Sequence, residues 1–243
     1  MLNANCCKAF LLAAGAGTRL HPLTHGIPKC LLPIRGTPLL QIWLELCHAA
    51  GIEEVLVNIH AHTQQVRDFA ARQRSGVRMA IVEERELLGS AGTLAENREF
   101  VHGQEAFFVL YADVLTNVDL REMLAFHRRG NMPATLGIYQ VPDPQRCGIV
   151  SLNRNGIIER FEEKPARPES NWAFAGVMVA HPEALDRIPS RRPADIGFDL
   201  LPQMAGNMAA YKITRYLLDI GTPENYAAAQ SSWPGQHPHA PSS

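Results

Sequence analysis

Short apolar runs alternate with amphipathic segments along most of the chain. The run Lys8–Ala13 predicts a first buried strand. From Pro38 to Ala50, Leu39, Leu40, Ile42, Trp43, Leu46 and Cys47 recur at helical spacing, and Gly51 stops the segment. Val55, Leu56 and Val57 centre a second strand over Glu54–Ile59, followed by a helix over Thr63–Arg74 that ends at Ser75-Gly76. Val77–Val82 reads as a third strand, and Ser90 is placed to cap a helix running to Arg98. Ala106–Tyr111 is almost wholly apolar and predicts a fourth strand. Leu120–Arg129 is a helix closed by Gly130, and Ala134–Val141 a fifth strand.

Strands that are apolar throughout and alternate with helices predict an α/β fold: a Rossmann-like, doubly wound, mainly parallel sheet covered on both faces. After Val141 the pattern changes. Gly148–Leu152 and Ile157–Glu163 flank Asn153-Arg154-Asn155-Gly156, which reads as a β-hairpin and implies a small antiparallel subregion. A strand over Ala173–Ala180, a helix over Phe198–Ala205, an extended stretch Met208–Leu218 and a helix Pro223–Ser231 follow. Residues 232–243, rich in Pro, Ser, Gly and His, predict a flexible tail. No repeat or long linker interrupts the rest, so residues 1–231 are expected to form one domain, with a first part of about 1–140 and a second of about 141–231.

Composition narrows the function. The 243 residues are 46% hydrophobic and 19% charged, ordinary globular usage. The 23 basic and 24 acidic side chains leave a net charge of −1, with no positive field for a nucleic-acid backbone. No run reaches the ~18 apolar residues that span a bilayer. Phe10–Ala14 passes straight into Gly15-Ala16-Gly17, as a strand does and a leader peptide does not. Neither nucleic acid nor membrane is therefore an expected partner, and a homo-oligomer is left open. The five cysteines (Cys6, Cys7, Cys30, Cys47, Cys147) are odd in number and lack Cys-x-x-Cys spacing, which argues against a disulfide framework or structural zinc and fits a reducing cytoplasm. His60-x-His62 is too sparse for a metal site.

The candidate chemistry begins where the first strand ends. Leu11-Leu12-Ala13-Ala14-Gly15-Ala16-Gly17-Thr18-Arg19-Leu20 puts a small-residue loop at the C-terminal end of a buried strand, where ligands sit in open α/β sheets. Backbone without bulky side chains can approach phosphate closely, and Arg19 and Lys29 add fixed positive charge. The third position of a dinucleotide-binding Gly-x-Gly-x-x-Gly turn is Leu20, and the Gly-Lys-Ser/Thr of a Walker A loop is absent. Gly15 and Gly17 alone would also suit a mere tightening of the strand exit.

The whole segment from Leu12 to Ile34, including Pro28-Lys29 and Leu32-Pro33-Ile34, resembles the signature of the sugar-1-phosphate nucleotidyltransferases, or NDP-sugar pyrophosphorylases. The resemblance continues through Leu88-Gly89-Ser90-Ala91-Gly92-Thr93, Tyr111-Ala112-Asp113, Cys147-Gly148-Ile149-Val150, Glu162-Glu163-Lys164-Pro165, Ser170-Asn171 and Leu218-Asp219-Ile220-Gly221-Thr222-Pro223, covering about residues 8–230. Its branch is similar to short mannose-1-phosphate guanylyltransferase-like proteins. Cys147 stands where many relatives carry Tyr, and Val114 where thymidylyltransferases carry Asn.

The resemblance implies attack of a sugar-1-phosphate oxygen on the α-phosphorus of a nucleoside triphosphate, with pyrophosphate leaving. The best-matching pair is GTP with mannose-1-phosphate or a related hexose or heptose phosphate; the alternatives are UTP or dTTP with a glucose or amino-sugar phosphate, or a regulatory subunit that binds a sugar nucleotide without turnover. It also implies the residues. Leu12, Ala13, Ala14, Gly15, Gly17, Thr18, Arg19, Lys29 and Gly89 would bind the nucleotide, with Arg19, Lys29 and Asp113 in catalysis. Glu84 would face the base, as an acceptor for the donors of guanine, or be a solvated loop residue. Gly148, Glu163, Lys164 and Asn171 would bind the sugar phosphate, and Asp113 with Asp219 would hold Mg²⁺.

Overall fold

The computed structural model describes residues 7–236, and a central sheet organises them. Strand β1 (Lys8–Leu12) is followed by two single turns, Thr18–Leu20 and Lys29–Leu31, and by a minimal hairpin of β2 (Pro33–Ile34) and β3 (Thr37–Pro38). Next come α1 (Leu39–Ala49), β4 (Glu54–Ile59), α2 (Thr63–Arg72), β5 (Arg78–Glu83), α3 (Ser90–Glu96), β6 (Phe107–Tyr111), β7 (Val114–Thr116), α4 (Leu120–Gly130) and β8 (Ala134–Gln140). The second part adds β9 (Gly148–Leu152), β10 (Ile158–Glu163), β11 (Trp172–Ala180), β12 (Met208–Lys212), β13 (Leu217–Asp219) and α5 (Pro223–Ser232).

Strands β5, β4, β1 and β6 are mutually parallel neighbours in that order. The register pairs Leu12 with Asn58 and with Tyr111, and Asn58 with Val82. The C-terminal ends of four strands thus share one sheet edge, and the residues just beyond them emerge side by side. Strand β11 runs antiparallel to β6, β8 and β9, and β9 pairs with β10 as the expected hairpin. Alternation along β1 sends Ala9 and Leu11 to one face, with Trp43 and Leu44 of α1, and Phe10 to the other, with Leu94, Val109 and Met178. All eight are essentially buried, so both faces of the sheet are covered.

Four local expectations need correction. Ser90 is the first residue of α3 rather than its cap; Gly89 takes the cap position at φ 77°. Phe198–Ala205 is not an α-helix but a wide π-type turn (Ile196–Leu200) followed by a 3₁₀ turn (Leu201–Met204). Pro202 has no N–H for a regular ladder, and the Asp195 carboxylate accepts from Gly197 N and Phe198 N at the start. The extended stretch Met208–Leu218 divides: β12 pairs with β8, whereas β13 leaves to pair with β7. The tail does not begin at 232. Ser232 is still in α5, Trp233 is buried edge-on against Tyr216, and Gln236 donates to the Ile42 carbonyl at 2.8 Å. Residues 237–243 lie outside the described residues, as does Cys6.

Helix α4 packs a histidine inward. His127 is buried, its Nδ1 lies 2.9 Å from Thr135 Oγ1, and its ring meets His181 at 5.0 Å. Burial, aided by His181, pushes its pKa down from 6.5 to about 4. The folded chain therefore binds fewer protons than the unfolded chain between those values, and stability falls as pH drops through that window. Denaturant titrations at pH 7 and pH 5 should differ by on the order of 1–2 kcal/mol from this residue. In His127→Gln that component should vanish; an unchanged pH slope would assign it elsewhere.

Candidate active site

The loop after β1 is held from below. Ala13 N donates to the Asn58 side-chain oxygen at 2.8 Å, fixing the first residue beyond the strand. Gly17 sits at φ 64°, a left-handed conformation, and a Cβ there would lie 3.0 Å from the Thr24 methyl. The Thr24 hydroxyl in turn donates to the Gly17 carbonyl at 2.8 Å. Gly15 differs: a Cβ there would meet nothing within 4 Å. Gly17 is needed to fold the loop, and Gly15 leaves its upper surface bare.

A cavity of ≈ 240 Å³ opens above this edge. Leu12, Ala13, Ala14, Gly15, Lys29, Glu84, Gly89 and Asp113 line it, together with Asn58, Leu87, Ser90 and Tyr111. Gly17, Thr18 and Arg19 lie outside its wall, in the turn that follows.

Glu84 has a different position from that of a free base-reading carboxylate. It is only 5% exposed. Its Oε1 accepts from Asn58 Nδ2 at 2.8 Å and from Thr93 Oγ1 at 2.5 Å, and its Oε2 accepts from Leu88 N at 3.1 Å. Each donor belongs to a different wall: β4, α3 and the 85–89 loop. Glu84 lines the cavity while holding those walls together.

The cationic and anionic groups gather at the far end. Lys29 Nζ lies 2.7 Å from Asp113 Oδ2, and the lysine side chain is 10% exposed. Asp113 follows β6 by two residues, and Ile220 N donates to its carbonyl at 3.0 Å. Because β13 pairs Asp219 with Val114, Asp219 arrives beside Asp113 across more than a hundred residues of sequence. Its Oδ1 accepts from Gly221 N at 2.7 Å. A Cβ on Gly221 would stand 2.8 Å from Arg19 Nη2, so the missing side chain is what admits the guanidinium. Burial and the neighbouring Asp113 charge raise the Asp219 carboxyl above the usual carboxylate range, while Lys29 and Arg19 oppose the rise. Two oxygen-donor carboxylates held together against their own repulsion, beside phosphate-accessible backbone, suit a hard divalent cation that takes few protein ligands.

The third group lies on the antiparallel side. Gly148 opens β9, and a Cβ there would fall 2.5 Å from the Phe161 ring and 2.6 Å from Glu163 Oε2. Gly197 leaves room for the same carboxylate, since a Cβ there would also collide with Glu163 Oε2. Wedged between them, Glu163 has its pKa raised by burial and partly restored by Lys164. Lys164 takes φ 50°, its N donates to the Cys147 carbonyl at 2.9 Å, and its Nζ is 3.7 Å from Glu163 Oε1. Asn171 stands apart: it is exposed, and its recorded hydrogen bond is the backbone one it accepts from Val141 N at 2.9 Å.

Several site residues carry no motif of their own. Asn58 is a polar residue set in the apolar run of β4, between Val57 and Ile59. Ser90 donates to Asp195 Oδ2 and accepts from Ile196 N, both at 2.8 Å, and the Ala194 carbonyl accepts from Ala91 N and Gly92 N at 3.0 Å. These bonds stitch the α3 wall to the 194–198 turn. Tyr111, half-buried in the cavity wall, has its phenol pushed up by desolvation and by Asp195. Nothing in the sequence couples positions 90 and 195. His60 and His62 gather no third ligand; among the described residues no cluster of three or more His, Cys, Asp or Glu could hold a metal.

The chain is 34% identical over 225 residues to the mannose-1-phosphate guanylyltransferase catalytic subunit beta of Xenopus tropicalis, and 35% identical over 225 residues to that of Danio rerio. Each alignment covers 90% of this chain and 62% of the relative, so the chain spans under two thirds of their length. The crystal structure of HddC from Yersinia pseudotuberculosis complexed with GMP-PN superposes with a TM-score of 0.78 at 21% identity, covering 93% of this chain and 99% of that one, a likeness of fold. The nucleotidyl transferase model matches residues 8–234, nearly the whole described chain, and the chain belongs to the nucleotidyl transferase family.

Proposed function

We propose that this chain transfers a nucleotidyl group from a nucleoside triphosphate to a sugar-1-phosphate. The observation that carries the reading is the approach of three groups from distant sequence to one cleft: the open Gly15 loop with Lys29, the Asp113–Asp219 pair beside Arg19, and Glu163, which pairs with Lys164 and whose charge acts on Tyr111 together with that of Asp113. A sugar-phosphate oxygen bonds to the α-phosphorus, and the bond from that phosphorus to the oxygen bridging the β-phosphorus breaks. Both reactants are polyanions, so the protein's work is to hold them together and stabilise added charge.

Lys29, nearly buried and pinned by Asp113, is positioned before substrate arrives and meets the triphosphate near its α-position. Arg19 presents a planar fork to the leaving pyrophosphate. Lys164 anchors the sugar phosphate, and Glu163 accepts from sugar hydroxyls. Asp113 and Asp219 would hold Mg²⁺ with phosphate oxygens and water. That ion would supply charge neutralisation at the phosphates. The named relatives favour GTP and mannose-1-phosphate as the substrate pair. All the cations and both aspartates are in place, which favours turnover over a purely regulatory role. The free thiols of Cys30, Cys47 and Cys147 fit a cytoplasmic setting, and among the described residues no helix is long and apolar enough to cross a membrane.

The reading is tested by following pyrophosphate release with magnesium, GTP, UTP or dTTP, and a panel of sugar-1-phosphates. Release with GTP and mannose-1-phosphate is the expected result; binding without release in every combination would leave the regulatory reading. Chelation should abolish turnover, and Asp113→Asn or Asp219→Asn should lower it by at least about 10²-fold, the scale of a lost electrostatic stabiliser. Full activity in either variant would remove that aspartate from the site. Initial rates with each substrate varied should separate the two ends of the cleft. Lys164→Ala should weaken the sugar phosphate, and Arg19→Ala the triphosphate and turnover, each by roughly 10- to 150-fold. A Lys164→Ala effect confined to the triphosphate KM would overturn this division.

A further inference from the structure

Phe198 is 58% exposed, one of three large apolar side chains left open among the described residues. Another, Leu87, lines the nucleotide cavity. A lone exposed aromatic is ordinary on a mobile surface, but the backbone under Phe198 is held. Its N–H donates to Asp195 Oδ1 at 3.2 Å, Gly197 N donates to the same atom at 2.8 Å, and Asp195 Oδ2 is bound by Ser90. Asp199, on the other side, accepts from Asp195 N at 2.7 Å and pairs with Arg191. The turn that carries the ring is also the turn whose Gly197 touches the Glu163 carboxylate. Lys164 Nζ stands 5.9 Å from the ring centroid.

These positions place an acceptor, a cation and an exposed aromatic face around one small volume. A pyranose-1-phosphate has the same three features: hydroxyl edges that donate, a phosphate, and a ring face of contiguous C–H groups. We propose that Phe198 is a substrate-specificity residue that stacks against the apolar face of the sugar ring while Glu163 and Lys164 hold its hydroxyls and phosphate. The inference rests on the sugar-phosphate reading above and names a residue that the sequence motifs did not. It implies preference for pyranosyl phosphates over acyclic or linear phosphates carrying the same charge, since only the former have a flat C–H face to offer.

The test is steady-state kinetics on the full chain. Because the side chain is exposed, Phe198→Ala should fold with unchanged melting behaviour. It should raise the KM for the sugar-1-phosphate about 3- to 10-fold and leave the KM for the triphosphate unchanged, the size of a lost aromatic contact. Phe198→Trp should retain the wild-type KM, and Phe198→Leu should fall between. The same variants in a Lys164→Ala background separate stacking from mere support of the ammonium: a platform keeps its effect there, and support alone loses it. An unchanged sugar-phosphate KM in Phe198→Ala, or an effect that disappears without Lys164, overturns the proposal. So does a Phe198→Ala protein whose only change is its sedimentation, which would make the ring a contact between copies. If the wild-type chain turns over no sugar-1-phosphate at all, it is the broader functional reading that fails.

Discussion

A buried carboxylate is costly unless donors surround it, and Glu84 has three, each from a different element. That requirement fixes the walls of the cavity beyond the strand ends. Asn58 reaches Glu84 with its amide nitrogen and Ala13 with its amide oxygen, so one side chain spans the strand-end loop and the opposite wall. Removing any member leaves a buried polar atom unpaired, a larger loss than a single hydrogen bond is worth. The cavity therefore keeps its shape through its floor, and the loop above it is free to be small and bare.

The charged end follows a different logic. Asp113 and Asp219 repel one another, and the burial of Asp219 adds to the strain. Lys29 and Arg19 offset it from two sides, but the carboxylates are held by the pairing of β7 with β13, not by attraction. Backbone pairing can bring like charges together where side-chain chemistry alone would separate them.

Much of this was legible in the residue pattern. The parallel strands β1, β4 and β6 centre on apolar runs that could be placed to within a residue or two, and the loop after β1 follows from where the first run stops. Gly15, Lys29, Asp113 and Glu163 sit in motifs that name themselves. What stayed hidden depends on tertiary context. Glu84 looks solvated beside Arg85 and Glu86, and only the neighbouring wall makes it a buried anchor. The π-type turn at 196–200 follows from Asp195 and Pro202 acting together, which no single-residue propensity encodes. Trp233 lies among tail-like residues yet buries itself on Tyr216, a partner supplied by the stretch just before β13.

The stitch between α3 and the 194–198 turn decides which parts of the site can change shape. With the Ala194 carbonyl taking two amides of α3 and Ser90 bridging Asp195 and Ile196, the two walls are a single piece at that point, and the slot has a set gauge. A change in the shape of the slot then has little room in the frame. It is left to the groups that stand on the rims and bear no load, such as the side chains of Leu87 and Phe198. A substitution at either tip changes the surface that the slot presents and leaves the stitched walls as they are.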